Sequence, residues 1–292
     1  MSYDFVNIFF DNKKFIQRSK ISKIIEYDEN NNLINKYESI SDLPLDIQQE
    51  IDIYLDCKNN PKDFFSYKVN DDKTIELTEY KSNILKNVTI PKTIDGYEVK
   101  SLGRGLFFMN SDIQSIEMYD TVEILKEGVF CNCSFLQNIN LSSKINTIPE
   151  DTFMCCHELK YINLNSVTSI EDRAFRMCYH LIDVENTSNI KKLGNETFMD
   201  CYSLKTMNLN NVEVLGMCTF NGCSNLKNVK LSSDLYEIPI KCFQFCSSLK
   251  EIVLPDSITE ILECAFDNCT SLTNVDFPNS LAIIYPPRFY EL

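Results

Sequence analysis

A phenylalanine returns at almost constant intervals along this chain. Phe107, Phe130, Phe153, Phe175, Phe198, Phe220, Phe243 and Phe266 are separated by 23, 23, 22, 23, 22, 23 and 23 residues. Other columns travel with it. Three residues after each Phe stands Cys133, Cys156, Cys178, Cys201, Cys223, Cys246 or Cys269, with Asn110 in the first unit. Six residues after it stands Ile113, Leu136, Leu159, Leu181, Leu204, Leu226, Leu249 or Leu272. Nine residues after it stands Ile116, Ile139, Ile162, Val184, Met207, Val229, Ile252 or Val275. A period in this range is the mark of a solenoid. A unit so short cannot bury its own apolar face, so the units must stack and share one continuous core.

Within a unit, Leu136-Gln-Asn-Ile139-Asn-Leu141 alternates with period two and predicts a short strand. Stacked strands of this kind make a parallel sheet along one face, roughly 35–40 Å long for eight rungs at about 4.8 Å each. A second apolar pair per unit, such as Ile145/Ile148, Ile190/Leu193 and Ile258/Ile261, predicts another extended piece opposite. The Phe is expected to follow a brief helical turn, as in Pro149-Glu-Asp-Thr-Phe153.

The pattern I-x-x-I-x₄-F-x-x-C-x-x-L-x-x-I-x-L resembles the BspA-like (Treponema pallidum-type) leucine-rich repeat. So does the lead-in: Phe65 to Val69, Thr74 to Tyr80, Val88-Thr-Ile90-Pro91 and Ile94-Asp-Gly96-Tyr-Glu-Val99. The resemblance covers residues 64–285 or so. It implies an α/β solenoid, a right-handed coil with a parallel sheet on one face, begun by a hairpin and first rung that act as a cap. It also implies adhesion or protein binding. Residues 1–62 are expected to form a small N-terminal α+β cap region and residues 63–292 the solenoid.

The first sixty residues differ in composition. Lys20 to Tyr27 and Leu33 to Ile40 flank Asp28-Glu-Asn-Asn-Asn32, a hairpin signal. Asp42 is the expected cap of a following helix with Pro44 in its first turn, and Leu45, Ile47, Ile51, Tyr54 and Leu55 are its expected apolar stripe. Leu43-Pro44-x₂-Ile47-x₂-Glu50-Ile51-x₂-Tyr54-Leu55 is also similar to the opening helix of an F-box, a recruitment module for ubiquitin ligases. The later helices of that module have no counterpart in Asn59 to Tyr67.

Of 292 residues, 44% are hydrophobic, enough for a core, and 28 basic against 42 acidic side chains leave a net charge of −14. That field repels a phosphate backbone, so no direct nucleic-acid partner is expected, and it steers a basic partner inward. No stretch approaches the roughly 18 apolar residues of a membrane span, so no membrane partner is expected. MSYDFVNIFFDNKK lacks the basic start, apolar run and cleavage site of a secretory signal. Thirteen cysteines in such a chain are expected to be thiols of a reducing cytosol, which points to the cytoplasm.

Catalytic chemistry has little to work with. His157 and His180, the only histidines, fall in the variable turn between the Cys and Leu columns, with no partner by spacing. Cys131-x-Cys133 and Cys155-Cys156 invite a metal reading, but zinc draws paired ligands from two places, whereas the repeat cysteines fall one per rung. Small buried thiols filling a tight turn account for that column. Cys57, Cys218, Cys242 and Cys264 lie off it, without an assigned role. Gly103-Arg-Gly105 is the only G-x-G and belongs to a repeat turn, not to a phosphate loop. The expectation is no catalytic site, no cofactor, no metal, and a protein that is not an enzyme.

Residues flanking the strand Ile point away from the core onto the outer sheet face. The face expected to bind a partner comprises Glu117, Asn138, Asn140, Tyr161, Asn163, Asp183, Glu185 and Asn208, with Asp183 and Glu185 as an acidic centre beside Tyr161. Tyr179, Tyr202 and Tyr236 offer a second, lateral surface. The expected function is a protein-binding scaffold whose partner has a basic surface. One alternative is an intracellular inhibitor or effector of viral, phage or pathogen origin that blocks a basic nucleic-acid-handling protein. Another is a surface adhesin exported by a non-standard route.

Overall fold

A computed structural model describes residues 5–10, 13–18, 24–27, 33–37, 42–82 and 85–285. The repeats wind into a β-solenoid. On one side run the three-residue strands Asn87–Thr89, Ser115–Glu117, Asn138–Asn140, Tyr161–Asn163, Asp183–Glu185, Thr206–Asn208, Asn228–Lys230, Glu251–Val253 and Asn274–Asp276. They pair in parallel and in register, Ser115 with Asn138, Tyr161 with Asp183, Thr206 with Asn228 and Glu251 with Asn274. The predicted second apolar pair forms two-residue strands opposite, including Thr147–Ile148, Lys192–Leu193 and Glu260–Ile261. Alternation works as expected: in Asn138–Asn140, Tyr161–Asn163 and Asn228–Lys230 the middle residue is buried and its neighbours are exposed.

The core lies between the two sides. Phe107 through Phe243 of the Phe column are at most 2% exposed. Their rings form one continuous stack, with centroid separations of 5.1–5.6 Å and interplanar angles of 5–14° from Phe107 to Phe266. The leading ring, Phe107, is covered by Tyr80 at 5.0 Å and by Phe65 edge-on at 6.4 Å, both from the lead-in hairpin.

The corner that carries each Phe is not a helical turn. The residues two before it (Gly105, Gly128, Asp151, Arg173, Glu196, Cys218, Lys241, Cys264) all have positive φ, and so do those two after it (Met109, Asn132, Cys155, Met177, Asp200, Gly222, Phe245, Asn268). A left-handed residue on each side of the Phe turns the backbone sharply, and a non-glycine there costs about 1 kcal/mol. Bonds between rungs offset that cost: the Phe N–H donates to the carbonyl preceding the next Phe at 2.8–2.9 Å, as from Phe130 to Thr152 and from Phe153 to Ala174. Helix in the described repeats is limited to the single 3₁₀ turn Thr187–Asn189.

At the N-terminal end, Phe65–Val69 pairs antiparallel with Thr74–Tyr80, which runs parallel to Tyr97–Leu102 and so extends the narrow side of the solenoid. The helix Leu45–Asn59 precedes it. Its N-cap is Pro44, with no side-chain cap bond, so Asp42 does not fill the predicted capping role. Of the expected stripe, Ile51 is buried, but Leu45 is 68% exposed; Leu43 and Cys57 are buried instead, and Cys57 joins the solenoid core. One short turn, Pro61–Phe64, then leads directly into the hairpin, leaving no place for further F-box helices. Ahead of these, Phe5–Phe10, Lys13–Arg18, Ile24–Tyr27 and Leu33–Tyr37 form an antiparallel four-stranded sheet. The last two strands are the predicted hairpin. Its linker at 28–32 lies outside the described residues, as do the side chains of Tyr54 and Leu55.

Phe175→Ala, in the middle of the stack, should lower stability by about 3–5 kcal/mol, and Phe266→Ala, on a half-buried ring, by clearly less. Equal losses in a denaturant titration would show that the stack is not one continuous core. Gly222→Ala would place its Cβ 2.4 Å from Asp200 Oδ1, whereas the Cβ of Gly128→Ala meets nothing nearer than 3.6 Å. Both residues have positive φ, so the extra loss expected at Gly222, on the order of 1 kcal/mol, isolates crowding between rungs.

Candidate partner-binding face

The eight sequence-predicted face residues lie on five strands, Ser115–Glu117 to Thr206–Asn208. All are exposed except Asp183, which is half-buried. Strand register sets Tyr161 opposite Asp183, Asn163 opposite Glu185, and Glu117 opposite Asn140. Tyr161 is 54% exposed and so presents most of a ring beside that acidic pair. Asp183 is held in place because its Oδ1 accepts the N–H of Val184 at 3.0 Å.

Some of the asparagines hold the backbone. Asn163 Oδ1 accepts from the N–H of Asn165 and from Nδ2 of Asn186, both at 3.0 Å, and Asn208 Oδ1 accepts from the N–H of Asn210 at 3.2 Å. These are side-chain turns that lead the chain out of the strand. The signal was present in the sequence as Asn-Leu-Asn, at 163–165 and 208–210. Asn140 and Asn163 also line a shallow hollow of about 260 Å³ with Ser142 and Asn165. Farther along the face is an apolar stretch that the prediction omitted: Val253 is 69% exposed beside a hollow of about 460 Å³ shared with Lys230, Glu251 and Pro255. A valine interrupting a polar column was its sequence signal.

Charge is distributed unevenly around the rung. On the flanks, several carboxylates are matched to cations one rung away: Lys100 with Glu123 and Lys192 with Glu171 at 2.6 Å, Arg176 with Glu196 at 2.7 Å, and Lys191 with Glu213 at 2.9 Å. Glu237 and Glu260, by contrast, face each other as like charges on neighbouring rungs. Arg173 bridges Glu150 and Asp151. On the outer sheet face, Glu117, Asp183, Glu185, Glu251 and Asp276 take part in no ion pair among the described residues.

The lateral surface is only partly as expected. His157 stacks on Tyr179 at 4.6 Å and Tyr179 on Tyr202 at 5.1 Å, a ladder of three successive rungs. His180 pairs through Nδ1 with Glu158 at 3.3 Å. Both histidines therefore have neighbours that spacing within one unit did not reveal. Burial in the ladder lowers the pKa of His157 from the usual histidine value. Tyr236 does not join Tyr179 and Tyr202, because it borders the short strand Glu237–Ile238 on the narrow side.

The cysteine column has a specific bonding role. Each thiol donates to the carbonyl of the Phe one rung earlier, from Cys133 to Phe107 at 3.1 Å through Cys269 to Phe243 at 3.0 Å. Burial pushes the Cys133 pKa up to about 12 and raises Cys156 and Cys201 well above the ordinary thiol value. Of the off-column cysteines, Cys242 is buried beside Phe243, while Cys218 and Cys264 are half-exposed at left-handed corners. Among the described residues no three His, Cys, Asp or Glu side chains are grouped to hold a metal ion, and no helix is long and apolar enough to cross a membrane.

A family model, the BspA-type leucine-rich repeat region, matches residues 73–205 and 192–292 in six copies. Among solved structures, the leucine-rich repeat protein of T. pallidum is similar at 22% identity and a TM-score of 0.53, over 73% of this chain and 90% of that one. The pneumococcal vaccine antigen PcpA is similar at 17% identity and a TM-score of 0.51, over 74% of this chain and 69% of that one. No curated protein matches.

In the folded protein, thiol-specific alkylation at neutral pH should reach Cys218 and Cys264 first and leave Cys156, Cys178 and Cys201 unmodified until denaturant is added. Mass spectrometry of the labelled peptides checks this. Early labelling of the column would overturn the thiol ladder.

Proposed function

We propose that this chain, which belongs to the BspA-type leucine-rich-repeat family, is a non-enzymatic scaffold that holds another protein against the outer face of its long sheet. One observation carries the reading: Asp183 and Glu185 stand without an ion pair beside exposed Tyr161 on the outer sheet face, whereas several carboxylates elsewhere on the rung, such as Glu171, Glu196 and Glu213, are matched to cations. A rigid surface with a tyrosine anchor and open carboxylates suits a partner with a basic patch. The same acidity supports a narrower version, an intracellular inhibitor that occupies the basic groove of a nucleic-acid-handling protein. Residues 1–62 act in this reading as a cap, and residues 63–292 as the binding solenoid. The bonded thiol column supports a reducing compartment, the cytoplasm, because oxidation would remove its donors.

Affinity capture from cytosol should return a basic protein whose complex weakens with added salt. Asp183→Lys with Glu185→Lys should reduce its binding roughly tenfold or more. Undiminished binding by this variant would move the interface off the sheet. Loss of a captured enzyme's activity on mixing would select the inhibitor version.

A further inference from the structure

In the middle of the outer sheet face, charge changes sign across one strand, Thr206–Asn208. One rung before it stand Asp183 and Glu185, and Tyr161 lies one rung before those. One rung after it stand Lys227 and Lys230, and Lys250 lies one rung further on, next to Glu251 and two residues beyond it Val253. Glu185, Lys227, Lys230 and Lys250 are exposed, and Asp183 is half-buried. None of these five is in an ion pair among the described residues. In a chain of net charge −14, three such lysines on two neighbouring rungs are a local reversal of sign. Two patches of opposite charge therefore flank one central rung. That rung presents Thr206 and Asn208, both exposed. A hydroxyl and an amide each donate and accept, so each can bond to a copy of itself.

We propose that this face binds a second copy of the chain, sheet against sheet, about a two-fold axis running along the strand Thr206–Asn208. The proposal rests on the reading of this sheet as a protein-binding face, and it names the partner. An axis in that direction reverses the order of the rungs and keeps each position along the strand. Glu185, which follows buried Val184, then comes opposite Lys230, which follows buried Val229. Asp183 comes opposite Asn228, one residue or about 3.3 Å from Lys227 and within reach of that side chain. Each contact occurs twice, because what one copy offers the other returns. One rung farther out, Lys160 and Tyr161 come opposite Lys250 and Glu251, which lets the carboxylate accept from both the Lys160 ammonium and the Tyr161 hydroxyl. On the axis, Thr206 and Asn208 meet their own images. Lys205 meets its image too, and its long side chain relieves that repulsion by turning outward to solvent. A basic peptide would leave Lys227 and Lys230 unmatched, and a polyanion would leave Asp183 and Glu185 unmatched. The chain's own image answers both patches. Repulsion between two chains of net charge −14 is screened beyond about 8 Å at physiological salt, so the groups in contact decide. The seven strands from Asn138–Asn140 to Asn274–Asp276, counted over four residues each, make a patch of about 34 by 13 Å. Contact over it buries on the order of 1,000 Å² in all, the lower bound for a specific interface, so the dimer is weak and reversible.

Sedimentation velocity of the full chain at physiological salt tests this. The wild-type protein should pass reversibly from monomer to dimer as its concentration is raised through the micromolar range. Asp183→Lys with Glu185→Lys, and separately Lys227→Glu with Lys230→Glu, should each weaken the dimer roughly tenfold or more. Mixed in equal amounts, these two variants should pair with each other at least as tightly as the wild type pairs with itself, because opposite charges then meet at every one of these contacts. Pairing on mixing also shows that both are folded. Carrying all four substitutions in one chain should restore self-association. Asp183→Asn with Glu185→Gln should give a smaller loss, and it tests the contact without adding like charge. A wild-type chain that stays monomeric throughout that range overturns the proposal. So does a dimer that none of these variants weakens, or a pair of cooperatively unfolding variants that remain monomeric on mixing. The scaffold reading fails separately. A monomeric wild type that still captures a basic cytosolic protein through Asp183 and Glu185 leaves that reading intact, whereas capture undiminished by Asp183→Lys with Glu185→Lys removes it.

Discussion

The phenylalanine carbonyl is where one rung is fastened to the next. That of Phe130 accepts the N–H of Cys133 in its own rung at 3.0 Å and the thiol of Cys156 in the following rung at 3.2 Å. Both lone pairs of a deeply buried oxygen are thereby used, and an unmet buried acceptor would cost about 1–3 kcal/mol. Cysteine fits because it is small enough for the corner, apolar enough for the core, and still a donor. The first unit follows the same logic. Asn110 has no earlier rung of the Phe column to bond, and its Oδ1 instead caps the N–H groups of Asp112 and Ile113 at 3.0 Å.

Fixing the corner fixes the sheet. Left-handed residues on both sides of each Phe set the turn, so the strand that follows begins at the same height in every rung and side chains at equivalent positions fall into straight columns. Any chemistry repeated in the sequence then becomes a stripe in space. On the flanks several of these columns set opposite charges one rung apart. On the sheet's outer face they are left open toward solvent. Surface ion pairs add little stability individually, so their distribution says more about where binding is permitted than about what keeps the rod folded.

Much of this was written in the chain. Phe, Cys, Leu and Ile at fixed offsets announced which side chains face inward, and the alternation about Ile139 or Ile162 announced which face outward. The placement of Tyr161 beside Asp183 followed from counting. The corner was misread as helical because Pro149-Glu-Asp-Thr contains ordinary helix-start residues, and three glycines in sixteen left-handed positions give too faint a signal. Asp42 likewise had the right chemistry for a cap, but the chain enters the helix at Pro44.

The sequence by itself determined the rung: its length, its interior and its outward columns, because burial depends on each residue's own polarity and on a period that can be counted. Only the tertiary structure decided what meets across rungs. The thiol on the preceding carbonyl, the His157–Tyr179–Tyr202 ladder and the ion pairs on the flanks join residues some 20 to 26 positions apart. Such meetings depend on register and on where each corner points, and neither is a property of any residue taken singly.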